Sequence, residues 1–179
     1  MESATAMKLK LNLGCNTRIR EGYVNIDKDK YLGVDVVADV AKLEYANNSV
    51  SEIYASHILE HFSHLRTVDI LKEWHRVLED GGILKLSVPD FDRMIKLYQK
   101  TGLVDWLTYV IWGGQEYDGA FHYCGFNESR LRKALALAGF TDISRVENLP
   151  GASNNECSTK VDNLDFKSIS INMVVVKGE

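Results

Sequence analysis

A chain of 179 residues is the length of one ordinary domain and can bury a core without covalent staples. Its 45% hydrophobic and 26% charged residues exclude a disordered chain, and a net charge of −4 with a pI of about 5.8 supplies no global attraction to nucleic acid or anionic membrane. Cysteines 15, 124 and 157 share no C-x-x-C spacing, and no apolar run reaches the roughly 18 residues that span a bilayer, so disulfide scaffolds, zinc knuckles and membrane anchoring are not expected. Met1 to Ala6 carries no apolar signal core, and a reduced, cytoplasmic setting is the plain expectation.

Residues 1–7 lack periodicity and are expected to form a flexible tail ahead of a single domain over 8–179. Lys8 to Leu13 and Tyr23 to Ile26 read as the first two strands, and the β-branched Asp35 to Val40 as a third. Asn47-Asn48-Ser49 is a turn, and Ser51 to Ala55 a fourth strand. From Ser63, the apolar Leu65, Val68, Leu71, Trp74 and Leu78 recur at helical spacing. Gly81-Gly82 is expected to stop that helix, a glycine taking the left-handed cap.

Ile83 to Val88 is the fifth strand, closed by Pro89. Phe91, Met94, Ile95 and Tyr98 mark a helical face ended by Thr101-Gly102, and Leu103 to Ile111 reads as a further, apolar helix. Gly113-Gly114 opens an irregular aromatic stretch that runs to Phe126. Asn127 then caps a helix carrying Leu131, Ala134, Leu135 and Ala138, which Gly139 ends. Thr141 to Val146 and Ser168 to Val176 are two final strands, and the long polar connection 147–167 is expected as a mobile surface loop.

Strands alternating with helices predict a Rossmann-like, doubly wound α/β fold: a mostly parallel sheet of about seven strands with an antiparallel last strand. In such a sheet an adenosine-type ligand docks where one strand runs into a Gly turn and the next ends in an acid. Leu11-Asn12-Leu13-Gly14-Cys15-Asn16 and the Asp27 that ends Val24-Asn25-Ile26-Asp27 form such a junction.

Four stretches together resemble class I S-adenosylmethionine-dependent methyltransferases of the small, single-domain kind. They are Leu11 to Asn16 with Asp27, Asp39 ahead of Leu43, Ile53 to His61 containing Ser56-His57-Ile58-Leu59-Glu60-His61, and Glu73 to Gly82. The glycine loop departs from the family pattern, since Asn16 stands where a second glycine is usual. Only 13 positions separate Gly14 from Asp27, which leaves little room for the usual first helix. Asn tolerates positive φ, so the turn itself can survive.

The resemblance implies S-adenosylmethionine as cofactor, with Leu13, Gly14, Cys15, Asn16, Asp27, Asp39, Val40, Ser56 and His57 around it. Asp27 would accept the ribose hydroxyls and Asp39 would meet the adenine amine, while Arg18 or Arg20 could pair with the cofactor carboxylate. His57, His122 and Asp90 are the candidate catalytic groups, the two histidines as bases because imidazole titrates near neutrality. His64 and His75 read as surface or helix-packing residues.

His57-x-x-Glu60-His61 also has the reversed order of a metallopeptidase motif, but the family segment explains it better, and no metal is expected. Tyr117, Asp118, His122 and Tyr123 suggest a lid over an acceptor pocket. The acidic balance and the lack of a D/N-P-P-Y segment favour a small-molecule acceptor, such as a sugar, nucleotide-sugar or metabolite, over nucleic acid. The alternative is a non-catalytic cofactor-binding or regulatory module on the same fold.

Overall fold

The structure is a computed structural model that describes residues 8–151 and 169–178. The expected tail, Cys157 and most of the 147–167 connection lie outside the described residues. Seven strands form one sheet: β1 (Lys10–Leu13), β2 (Val24–Asp27), β3 (Val36–Val37), β4 (Val50–Ser56), β5 (Leu78–Pro89), β6 (Asp142–Val146) and β7 (Ser170–Val176). Their order is β3-β2-β1-β4-β5-β7-β6. β7 is antiparallel to both of its neighbours, and every other pair is parallel. The expected architecture is therefore present, with the antiparallel last strand β7 lying between β5 and β6.

Among the described residues four α-helices accompany the sheet: α1 (Thr67–Val77), α2 (Phe91–Thr101), α3 (Val104–Trp112) and α4 (Glu128–Leu137). Alternate strand residues, among them Leu11, Leu13, Ile53, Ala55, Leu84, Leu86, Ile171 and Met173, point to one face. There they meet Ile70, Leu71, Trp74 and Val77 of α1 and Leu131 and Leu135 of α4. Each such side chain, fully buried, contributes about 1.5–3 kcal/mol. A smaller cluster joins α2 and α3 through Leu97, Ile169, Leu103, Trp106 and Val110.

The first half of the sheet is connected without helices. Ten residues, 14–23, join β1 to β2 as turns, too short for a helix with a turn at each end. Polar side chains tie this loop down instead. Asn12 Nδ2 donates to Asn25 Oδ1 at 2.9 Å and to the Arg18 carbonyl at 2.9 Å, and Arg20 N–H donates to Asn25 Oδ1 at 2.8 Å. The Arg20 guanidinium stacks 3.4 Å from the Tyr54 ring centroid.

Three boundaries differ from expectation. The helix expected from Ser63 starts at Thr67, which leaves Leu65 80% exposed ahead of it. α1 ends at Val77, where Leu78 turns to extended backbone (φ −62, ψ 137), so Gly81-Gly82 does not cap it. The glycines instead make a bulge in β5: the register jumps from Val50↔Leu78 to Glu52↔Ile83, and Gly81 adopts φ 75. The third strand is only Val36–Val37, both exposed at the sheet edge. Val40 leaves the sheet to be buried, and its carbonyl accepts from Trp74 Nε1 at 2.9 Å.

Candidate active site

A cavity of about 900 Å³ opens at the carboxyl ends of β1, β2, β4 and β5, within the range of small-molecule and cofactor sites. Gly14 follows β1 with φ 63, and a Cβ there would lie 2.6 Å from the Ile58 side chain. Glycine is thus required both by the backbone and by the close approach of the β4 loop. Asn16 takes φ 46, as its tolerance of the left-handed region allows, and its N–H donates to Asp27 Oδ2 at 2.8 Å. Asp29 N–H donates to Asp27 Oδ1 at 3.0 Å. The buried Asp27 carboxylate is therefore held in one orientation by two backbone donors.

Cys15, Asn16, Asp27, Asp39, Val40, Ser56 and His57 line the cavity with Gly14, while Leu13 is 1% exposed in the core behind it. Burial, then the neighbouring Asp27 carboxylate, push the Cys15 thiol up to about 11, so it is a neutral wall group rather than a thiolate. Asp39 also holds its own turn, accepting from Ala41 N–H at 2.9 Å. Ser56 Oγ is buried without a partner among the described residues, a polar group available to a ligand. Arg18 lines the cavity as well, whereas Arg20 turns to Tyr54 and to the Gly151 carbonyl.

At the other end of the cavity stand His57, His61 and His122. His57 sits at φ 54, strained for a non-glycine residue, and its N–H donates to the Ser87 carbonyl at 2.9 Å. Its Nδ1 donates to Glu60 Oε1 at 3.1 Å, and its Nε2 meets Ser170 Oγ at 3.0 Å. Both ring nitrogens are thereby engaged by protein groups.

Glu60 is 1% exposed. Burial pushes its carboxyl up, but the hydrogen bond from His57 and the charges of His57 and His61 outweigh that and hold it below the ordinary carboxylate range. His57 and His61 do not share a helix face, because only Leu59–His61 forms a single 3₁₀ turn. His61 instead packs edge-on to His122, with ring centroids 4.7 Å apart. Burial holds the His122 imidazole below its ordinary value and favours the neutral ring.

Asp90 does not stand in this wall. It is 3% exposed, its Oδ1 accepts from Arg93 N–H at the start of α2, and its Oδ2 pairs with Arg145 at 3.0 Å. It acts as a helix cap and ion-pair partner. His64 is exposed, and His75 packs edge-on to Phe140 at 4.9 Å.

The segment after α3 folds over the cavity. Gly113 bridges Phe121, His122 N–H donates to the Trp112 carbonyl at 2.9 Å, and Gly113, Glu116, Tyr117, Asp118 and Gly119 line the space beneath. Tyr117 hydrogen-bonds Tyr31, which closes the lid onto the loop after β2. Tyr31, Phe62, Tyr109 and Ile169 also line the cavity and carried no sequence signal, since each reaches it through tertiary packing.

Residues 13–86, from β1 through most of β5, match the family model described as a methyltransferase domain. No curated protein matches the chain. Among solved structures, an S-adenosylmethionine-dependent methyltransferase from Archaeoglobus fulgidus superposes with a TM-score of 0.63 at 13% identity, covering 95% of this chain and 86% of that one. The Burkholderia thailandensis 1,6-didemethyltoxoflavin-N1-methyltransferase, solved with that compound and S-adenosylhomocysteine, gives 0.60 at 15% identity over 96% and 71%. A chain of the complex between the Haloferax volcanii Trm112 methyltransferase activator and a methyltransferase gives 0.58 at 12% identity over 96% and 83%. At such identities the likeness is one of fold. Residues 13–86 thus match a methyltransferase domain, and the fold of the chain is one that solved S-adenosylmethionine-dependent methyltransferases share.

Proposed function

We propose that the protein transfers a methyl group from S-adenosylmethionine to a small-molecule acceptor bound beneath the lid after α3. The observation that carries this reading is the continuity of a single cavity. It runs from Gly14, Asp27 and Asp39 at one end to His61, His122 and the lid at the other. The residues present fit the cofactor. Gly14 leaves a bare backbone wall, Asp27 has a spare lone pair on each oriented oxygen for a ribose hydroxyl, and Ser56 Oγ lacks a partner among the described residues. Asp39 would meet the adenine amine with Val40 behind it, and Arg18 carries the charge for the cofactor carboxylate.

When bound, the cofactor supplies an electrophilic methyl group on a sulfonium. The protein's share is orientation, exclusion of water by the lid and acceptance of the acceptor's proton. His122 suits the last role, because its Nδ1 donates to the Val110 carbonyl at 3.0 Å and leaves the Nε2 lone pair free to take a proton. His57 positions Glu60 rather than serving as the base, since both its nitrogens are engaged. A lid that encloses the far end of the cavity favours a compact acceptor over a polymer. The neighbour named for 1,6-didemethyltoxoflavin supports the same class.

The test is S-adenosylhomocysteine formation across a panel of sugars, nucleotide-sugars, small heterocycles, tRNA and DNA. Turnover on a small molecule supports the proposal, and turnover confined to nucleic acid refutes its acceptor class. Cofactor binding without turnover on any acceptor favours the non-catalytic module.

A further inference from the structure

Glu60, His61 and His122 each offer one ligand atom, and the three atoms lie within 4.8 Å of one another at the lid end of the cavity. Their hydrogen bonds indicate which atoms are left over for a ligand. The Phe121 carbonyl can only accept, so His61 Nδ1 at 3.0 Å must donate, and Nε2 is the nitrogen left to bind a metal ion. The Val110 carbonyl fixes His122 in the same tautomer at 3.0 Å. A backbone carbonyl behind each imidazole is the usual outer support of a metal-binding histidine.

The carboxylate is supported likewise. His57 donates to Glu60 Oε1, while Glu60 Oε2, on a residue 99% buried by its 1% exposure, has no partner among the described residues. A buried anionic oxygen with no partner among the described residues costs free energy unless something positive occupies the space between it and the two imidazoles.

We propose that Glu60, His61 and His122 bind one divalent transition-metal ion, such as Zn²⁺, Mn²⁺ or Fe²⁺, through Glu60 Oε2 and the two Nε2 atoms. Two histidines and one carboxylate form a set that leaves coordination positions open. Ligands bonded at about 2.0–2.1 Å stand roughly 3.3 Å apart around a tetrahedral ion, so binding draws the three side chains together. The open positions face the cavity that His61 and His122 line. An acceptor hydroxyl coordinated there gives up its proton to solvent water more readily than a free one. This role rests on the methyltransferase reading. With the ion bound, His122 is a ligand and not a base.

The motif His57-x-x-Glu60-His61 concealed this arrangement. Its first histidine supports the carboxylate, and the second nitrogen ligand comes from the lid, 61 positions further along the chain.

The experiment uses untagged, chelator-stripped protein titrated with Co²⁺ by visible absorption and with Zn²⁺ against a chromophoric chelator. S-adenosylhomocysteine binding is measured separately by calorimetry in the presence of chelator. The expected result is one equivalent of metal with a ligand-field band. His61→Ala and His122→Ala should each weaken it by at least roughly 100-fold, more than an outer-support change costs. The exposed His64→Ala should leave it unchanged, and His57→Ala should weaken it by roughly 10- to 100-fold.

Wild-type protein without a band, or a loss as large in His64→Ala as in His61→Ala, overturns the site. The first outcome does not depend on whether a variant folds, since the wild-type spectrum alone can refute the site. S-adenosylhomocysteine binding without metal binding overturns the metal site and leaves the methyltransferase reading standing. Metal binding without S-adenosylhomocysteine binding supports the site and overturns that reading.

Discussion

Asp27→Asn probes the cofactor cradle with the least change in shape. Two backbone N–H groups divide the carboxylate between them, Asn16 on Oδ2 at 2.8 Å and Asp29 on Oδ1 at 3.0 Å. Asparagine has one acceptor oxygen, so its NH2 must face one of these donors. That N–H loses its partner at a cost of about 1–3 kcal/mol, and the surviving bond loses the charge on its acceptor. At 8% exposure, water cannot fully repair the loss. A destabilisation of about 2–3 kcal/mol follows, or roughly 4–12 °C in melting temperature for a chain of this size.

The same carboxylate is proposed to accept two ribose hydroxyls, charged hydrogen bonds of about 1.5–3 kcal/mol each. Losing about 2–4 kcal/mol of that weakens S-adenosylhomocysteine binding by roughly 30- to 700-fold. Thermal unfolding followed by tryptophan fluorescence and isothermal titration would measure the two effects separately. Unchanged stability would refute the hydrogen-bonded cradle. Unchanged affinity in a destabilised variant would refute the ribose placement.

Gly113→Ala would drive a Cβ to within 1.8 Å of the Ala120 carbonyl oxygen at a position with φ 78. Lid displacement should raise the acceptor KM by on the order of tenfold or more while cofactor affinity stays near wild type, as steady-state kinetics and calorimetry would show. Arg76→Lys removes a fork that holds the Tyr45 and Leu43 carbonyls, Asn47 and Glu73 together, and should cost about 1–3 kcal/mol in urea unfolding. His75 is held below its ordinary pKa, first by burial and then by the charge of Lys177. The unfolded chain therefore takes up this proton at a higher pH than the folded one, and stability falls as the pH drops below about 6.5. His75→Gln should flatten that part of a stability-against-pH curve measured between pH 7 and pH 5.

The parts of the fold that were legible in the sequence are those set by local pattern. The junction of Gly14 and Asp27, the caps Asn127 and Gly139 and the Leu71 and Trp74 part of the α1 face each follow from neighbours a few residues away, whereas the expected Leu65 is 80% exposed and Ile70 and Val77 are buried in its stead. What local pattern missed was settled by distant partners. Gly81-Gly82 carried a helix-stop signal, yet α1 ended earlier because Leu78 pairs with Val50, and the glycines were needed for the bulge that restores register. Asp90 stood at a strand end that favours a ligand group, but Arg145 of β6, 55 positions away, turns its carboxylate aside. The pairing of His61 with His122 depends on how α3 and the lid return over the sheet, which no spacing rule encodes.

The helix-free connections from β1 to β4 divide the molecule into two differently held halves. From β4 onward, helix-to-sheet burial sustains the structure. Before it, buried asparagines, a stacked arginine and short loops supplement the burial of Leu11, Leu13 and Ile26, with no crossover helix over the connections. Such a region opens at lower free energy than the helical core. A ligand seated on Gly14 and Asp27 therefore takes over the clamping that a crossover helix would perform, adding about 2.7 kcal/mol at one hundred times its dissociation constant. In folding terms the cofactor acts as a removable structural element, and the empty and loaded proteins differ most in how long residues 14–40 stay shut against amide exchange.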